Sequence, residues 1–118
     1  MPIIEISALP PRRPVDVPAA LARVTTAVAA SLGEDPRGTW ALWRPLAPGG
    51  YAEGADAPDA QPEDTHPAIV DVFAGRRDDA AELLRTVGAA VVEAFGLSTG
   101  NVVVRLRVAE PDHVSWGD

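Results

Sequence analysis

Apolar residues recur along this chain with two periods, one typical of strands and one typical of helices. Residues 2–8 form a short apolar run rich in isoleucine, which predicts a strand. Residues 21–32 place leucine and valine at helical spacing, and Gly33 ends that pattern. Asp16 is suited to cap this helix at its start. Residues 39–44 then predict a second strand.

The second half of the chain repeats this order of elements. Residues 68–74 and 102–108 are apolar runs that predict strands. Between them, residues 84–95 carry apolar side chains along one face of a predicted helix. Asp79 and Glu82 have the spacing of a capping box, which predicts that this helix begins just after Asp79.

The repeated order of strand, helix and strand predicts a duplicated β-α-β fold. Each half should form a right-handed βαβ unit with two parallel strands. Together they predict an α/β (α+β) fold, a four-stranded sheet with two helices on one face, as one domain over residues 1–118. The first unit covers residues 1–44 and the second covers residues 68–118. Residues 45–67, rich in proline, glycine and acidic residues, form the connecting loop.

Alternation along the last predicted strand divides its side chains between the two faces of the sheet. Val103, Arg105 and Arg107 are expected to point away from the helices. This face is either solvated, or it meets another subunit and helps to build an anion site. Parallel sheets are rarely bare on one face, which favours oligomerisation.

Composition and charge narrow the class of protein. The net charge is −7, of which residues 46–67 contribute −5, and this acidity argues against nucleic acid or an anionic membrane as a partner. The absence of cysteine excludes a thiol nucleophile, and His66 and His113 are too far apart in sequence for a usual metal cluster. No apolar run approaches the roughly 20 residues of a membrane span, and no signal-peptide pattern is present, so a cytoplasmic protein is expected.

Three motifs resemble the tautomerase superfamily, in particular its 4-oxalocrotonate tautomerase-like members. Residues 1–6 place proline directly after the initiator methionine, and residues 74–78 resemble the family's Gly-Arg turn. Residues 110–117 resemble a segment in which an aromatic residue precedes glycine. The resemblance implies the fold of macrophage migration inhibitory factor and, for a chain that holds two βαβ units, a homotrimer.

The resemblance also implies roles for individual residues. The reactive group would be the secondary amine of Pro2, once Met1 is removed. Four further residues match site positions of the family: Arg76 as a catalytic partner of Pro2, and Arg12, Arg105 and Trp116 as substrate-binding residues. Each has an ordinary alternative, because proline is tolerated at the start of an edge strand, arginines are often solvated, and tryptophan often packs at subunit contacts. In the first half, two prolines replace the glycine that the family places before Arg12.

Three functions are compatible with this pattern. The leading prediction is a tautomerase without cofactor or metal, in which Pro2 acts as general base on a small carboxylate substrate, a 2-hydroxy-dienoate or an enolpyruvate. The second is a decarboxylase, dehalogenase or hydratase of a short 3-carbon acid, in which protonated Pro2 is the acid and a carboxylate activates water. Glu110, Asp71 and Asp118 are the candidates for this carboxylate, and their ordinary alternative is that such acids are simply solvated. The third is a catalytically inactive trimeric binding protein.

Overall fold

A computed structural model describes residues 2–11, 13–57, 68–97, 102–110 and 115 of the chain. Within these residues, four strands, two α-helices and one short 3-10 helix follow each other in the order β1 (Ile3–Ala8), α1 (Val17–Leu32), 3-10 helix (Pro36–Gly38), β2 (Trp40–Pro45), β3 (Ala68–Ala74), α2 (Ala80–Phe95) and β4 (Val102–Val108). The predicted strands and helices are therefore confirmed in order and type.

Helix α1 begins and ends where its sequence predicts. The Asp16 side chain accepts a hydrogen bond from the Ala19 N–H at 3.1 Å, which satisfies one of the unpaired donors of the first turn. Gly33 has a φ of 68°, in the left-handed region that glycine adopts without a Cβ clash. Its N–H donates to carbonyls of the last turn, so the helix has capping hydrogen bonds at both ends.

Helix α2 ends at Gly96 in the same way, with a φ of 65°, and it begins at Ala80, directly after Asp79 as predicted, but the capping contact at its start differs from the prediction. Asp79 occupies the N-cap position, yet its side chain makes no capping hydrogen bond, so the predicted capping box is wrong. Arg77 instead donates to the two Asp79 carboxylate oxygens at 2.5 and 3.0 Å. This contact lowers the pKa of Asp79 and withdraws its carboxylate from the helix.

The 3-10 helix before β2 was not predicted. Asp35 accepts hydrogen bonds from the Arg37 backbone N–H at 2.9 Å and from the Arg37 guanidinium at 2.8 Å, and Pro36 stands at the first helical position. An aspartate followed by proline is a recognisable start signal for such a turn. The turn delays the strand by one residue, so β2 covers Trp40–Pro45 rather than residues 39–44.

The sheet has the strand order β2-β1-β3-β4. Strands β1 and β2 are parallel, and so are β3 and β4, which confirms two parallel βαβ units. The central pair, β1 and β3, is antiparallel, so the two halves are joined head to tail with near two-fold symmetry. Strands β1 and β2 begin, and strands β3 and β4 end, at the same end of the sheet. We call this the Pro2 end.

The core lies between the two helices and one face of the sheet. The buried residues alternate along β1 and β3, and they pack against buried valine, leucine and alanine side chains of α1 and α2. On β2 the half-buried Trp43 stacks on Phe95 of α2, with ring centroids 4.7 Å apart. Leu83 rather than Leu84 is the fully buried leucine of the second helix. Within the described residues, no helix has the length and apolar character needed to cross a membrane.

In the part of the chain that the structure describes, no helix covers the opposite side of the sheet. This open face consists of twelve strand residues, three from each strand: Ile3, Glu5, Ser7, Trp40, Leu42, Arg44, Ile69, Asp71, Phe73, Val103, Arg105 and Arg107. It exposes large apolar side chains, with Trp40 48% and Val103 49% exposed. The predicted orientation of Arg105 and Arg107 away from the helices is therefore confirmed.

Candidate active site

Pro2 lies at one end of the sheet, immediately before β1, which is an interior strand and not an edge strand. Its side chain is fully buried, and its carbonyl oxygen accepts a hydrogen bond from the Trp40 N–H at 3.1 Å. Ile3 pairs with Phe73 of β3, and Phe73 pairs with Arg107 of β4. The residues that follow β3 and β4 therefore leave the sheet at the same end as Pro2.

Arg76 leaves the sheet at this end, two residues after β3. Its Nη2 atom donates to Oε1 of Glu110 at 2.8 Å, and Glu110 stands two residues after β4. The two side chains are 79% and 44% exposed, so this is a solvated ion pair. The structure thus brings Arg76 to the same end as Pro2. It also adds a carboxylate partner that occupies part of the guanidinium.

Arg105 lies on the open face and is held by a buried carboxylate. Its guanidinium donates to both oxygens of Asp71, and this hydrogen bond and the Asp71 charge raise the pKa of Arg105 above its ordinary value. Asp71 is only 8% exposed and also faces Arg107 at 3.7 Å. The expectation that acids such as Asp71 are simply solvated is wrong, because two arginines flank this one in the sheet.

Arg105 and Pro2 do not meet within one chain. Arg105 is three residues back from the end of β4 and lies two strands away from β1. At about 3.3 Å per residue and about 4.8 Å per strand, each of these offsets is roughly 10 Å. Side chains alternate between the two faces of a strand, and Pro2 falls on the same face as the buried residues of β1, which is the face toward the helices. Arg105 lies on the other face.

The two other predicted substrate-binding residues, Arg12 and Trp116, lie outside the described residues. Pro10 and Pro11 follow the end of β1 that is opposite to the Pro2 end. Glu110 follows the end of β4 at the Pro2 end.

Thr39 is a polar residue at the Pro2 end that no sequence motif singles out. It is 4% exposed, and its hydroxyl oxygen is buried without a hydrogen-bond partner in the described structure. Thr39 directly precedes β2, next to Pro2. A single threonine before an apolar strand carries no signal of this kind, because its burial depends on which face of the sheet it joins.

Comparison with known proteins rests on structure alone, since no family model and no curated protein matches the sequence. The solved structure "F6 fused 4-OT wild type asymmetric trimer" is similar with a TM-score of 0.77 and 12% identity, over 98% of this chain and 92% of that one. Malonate semialdehyde decarboxylase is similar with a TM-score of 0.70 and 14% identity, over 98% and 91% of the two chains.

A macrophage migration inhibitory factor-like protein from Entamoeba histolytica matches too. Its TM-score is 0.71 and its identity 8%, over 98% of this chain and 95% of that one. Likeness at such low identity establishes the fold and not the chemistry. The chain has the fold of the tautomerase superfamily, with two βαβ units in one four-stranded sheet.

Proposed function

We propose that this protein is a cofactor-independent tautomerase that acts on a small 2-hydroxy-dienoate or enolpyruvate carboxylate. The observation that carries the proposal is the position of Pro2, fully buried at the sheet end from which Arg76 extends. The similarity of the fold to solved tautomerase-superfamily structures supports it. Removal of Met1 converts the Pro2 nitrogen from an amide into a secondary amine.

The chemistry needs a base that is unprotonated near neutral pH. An α-amino group ordinarily titrates near roughly 7.7–8.0, and burial disfavours its charged form, so the Pro2 amine is available as a base. Its lone pair takes the proton of the enol hydroxyl, and the O–H electrons form the carbonyl. The C=C electrons then take the proton back at carbon, which completes ketonisation without a metal or cofactor.

Arginines supply the binding energy for the substrate carboxylate. Arg76 is mostly exposed, and its contact with Glu110 uses one of the five guanidinium donors, so further donors can hold a carboxylate. Arg12 and Arg105 are proposed as further carboxylate ligands, and Trp116 as the wall that keeps water away from the amine.

The proposed assembly is a homotrimer in which the open face meets neighbouring chains. That face exposes Trp40, Leu42 and Val103, which is unusual for an unpartnered sheet. Arg105 lies on this face and far from its own Pro2, so in such an assembly it would serve a neighbouring chain. Solved structures with this fold include symmetric and asymmetric trimers of fused 4-OT.

A second candidate function is favoured by one observation. Glu110 places a carboxylate at the Pro2 end, beside Arg76. A hydratase or decarboxylase of a short 3-carbon acid needs such a group to activate water, while protonated Pro2 acts as the acid. The similar fold of malonate semialdehyde decarboxylase agrees with this alternative.

Turnover assays on protein with a verified free Pro2 amine test both proposals. We expect ketonisation of 2-hydroxymuconate or phenylenolpyruvate, followed spectrophotometrically, to be lost in Pro2→Ala and weakened in Arg76→Gln. Arg85→Gln is the matched control, since Arg85 is an exposed arginine on α2. Turnover of malonate semialdehyde without ketonisation would select the second candidate. Absence of Pro2-dependent turnover on every substrate would refute both and leave a binding protein.

A further inference from the structure

The buried hydroxyl of Thr39 is an anomaly in this structure. Thr39 and Asp71 are the buried polar residues among the described part of the chain, and Asp71 is paired with arginine. The Thr39 Oγ1 atom has no partner there. An unpaired buried hydroxyl is costly, and native structures contain few of them, so each one calls for an explanation.

Strand pairing sets Thr39 beside Pro2. Ile3 pairs with Trp40 in the parallel β1–β2 ladder, and the Trp40 N–H donates to the Pro2 carbonyl oxygen at 3.1 Å. The residues immediately before this pair are Pro2 and Thr39. By alternation both belong to the helix-facing side of the sheet, and both are buried. The hydroxyl without a partner and the proposed reactive residue are thus neighbours.

The chemical state of the Pro2 nitrogen decides whether this nitrogen can donate a hydrogen bond to the Thr39 hydroxyl. In the chain that still carries Met1, this nitrogen is part of an amide and has no hydrogen to donate. Once Met1 is removed, the same nitrogen is an amine with an N–H and a lone pair. We propose that the Thr39 hydroxyl accepts a hydrogen bond from the Pro2 amine and fixes the direction of its lone pair.

This role rests on the proposed function only because it needs the same free amine. In the neutral amine, the N–H bonded to Thr39 leaves the lone pair directed to the substrate. In the protonated amine, one N–H stays on Thr39 and the other is returned to carbon. The hydrogen bond from the protonated amine to the hydroxyl is stronger than the one from the neutral amine, because the donor is charged. The hydroxyl therefore raises the pKa of the Pro2 amine, whereas burial lowers it.

The test compares Thr39→Val in two forms of the protein. One form has a verified free Pro2 amine, and the other has one glycine added before Pro2, which keeps the nitrogen an amide. Urea unfolding is measured for both forms, and the pKa of the Pro2 amine is measured by the pH dependence of its ¹⁵N chemical shift. Thr39→Ser is the conservative variant. Thr25→Val is the matched control, because the Thr25 hydroxyl bonds to the Ala22 carbonyl on the surface of α1.

In the free-amine form, we expect Thr39→Val to lower the unfolding midpoint and to lower the pKa of Pro2 by about 0.7 unit, the difference between a charged and a neutral hydrogen bond. In the extended form, it should leave the midpoint unchanged or raise it, because an unpaired hydroxyl is removed. Thr39→Ser should keep the pKa. The charged groups described at the Pro2 end are unaltered in every variant: Glu34, Asp35, Arg37, Arg76, Arg77, Asp78, Asp79, Arg107 and Glu110.

Equal effects of Thr39→Val on the two forms, or an unchanged pKa of Pro2, would overturn the proposal. If valine is not accommodated, Thr39→Ala removes the same hydroxyl and is read in the same way. Neither measurement requires turnover. An inactive protein that still shows the form-dependent effect would therefore refute the proposed function and uphold the Thr39 contact.

Discussion

The Arg76–Glu110 ion pair gives a sharp prediction about substrate affinity. If Arg76 holds the substrate carboxylate, then Glu110 competes with that carboxylate for the same guanidinium, to which it is bonded at 2.8 Å. Glu110→Gln keeps the size of the side chain and removes its charge. We therefore expect the variant to bind a carboxylate substrate more tightly, which appears as a lower KM.

The exposure of the pair sets the size of this effect. With side chains 79% and 44% exposed, the interaction belongs to the class of surface ion pairs, which contribute roughly 0.2–1 kcal/mol. A tenfold change in affinity corresponds to about 1.4 kcal/mol, so KM should fall by about 1.4-fold to 5-fold. The effect should shrink with added salt, because exposed charges are screened over about 10 Å at 0.1 M ionic strength.

The assay is a comparison of KM and kcat for phenylenolpyruvate and for 2-hydroxymuconate, which carries one more carboxylate. The matched control is Asp78→Asn, which removes one exposed negative charge from the turn before α2. If Glu110 competes with the substrate carboxylate for Arg76, KM falls in Glu110→Gln alone. If the loss of any nearby negative charge is sufficient, KM falls in both variants. The dicarboxylate should gain more than the monocarboxylate, since Glu110 repels its second charge as well.

An unchanged or higher KM in Glu110→Gln would refute this reasoning. A fall of kcat by several orders of magnitude with little change in KM would do so too, because it would make Glu110 a participant in the reaction. That second result would favour the candidate function in which a carboxylate activates water.

Three further predictions concern the fold and the open face. Trp43→Ala should lower the free energy of unfolding by about 3 kcal/mol in urea titrations, since it removes a half-buried ring stacked on Phe95; a loss below about 1 kcal/mol would show that this stack is not part of the core. Asp16→Ala should cost about 1 kcal/mol in the same titration, because it removes the cap of α1; no loss would mean that solvent replaces the cap. Asp71→Asn should weaken self-association in sedimentation experiments. Arg105 would then face a neutral group, and its charge would not be compensated by Asp71 when the open face is covered by another chain. Unchanged assembly would exclude this ion pair from the interface.

Local patterns along the sequence were sufficient for most of the fold. Alternation of apolar residues in β1 and β4, and the Asp16 and Gly33 caps of α1, depend on near neighbours only. The capping contact of α2 was not predicted, because the Asp79 carboxylate could either cap the helix or bind Arg77, and in the structure it binds Arg77. Spacing alone cannot decide such a competition.

The arrangement of the candidate site depends on strand pairing that was not predicted. Pro2 and the turn that carries Arg76 share one end of the sheet because β1 and β3 are antiparallel neighbours, whereas the repeat of strand, helix and strand predicted no strand order. Contacts between residues far apart in sequence do not follow from that repeat either. Glu110 meets Arg76, and Thr39 lies beside Pro2, only because particular strands are paired in a particular register.

The antiparallel join between β1 and β3 has a consequence for how such a protein can be re-engineered. The near two-fold symmetry makes the two ends of the sheet nearly equivalent, and the single amino terminus of a chain can lie at only one of them. The fold is compatible with a terminal amine at either end, and the position at which the chain begins determines which end carries it. A circular permutant that begins at Ala68 would have its terminal amine at the end opposite to the Pro2 end, while the hydrogen-bond ladder of the sheet stays the same.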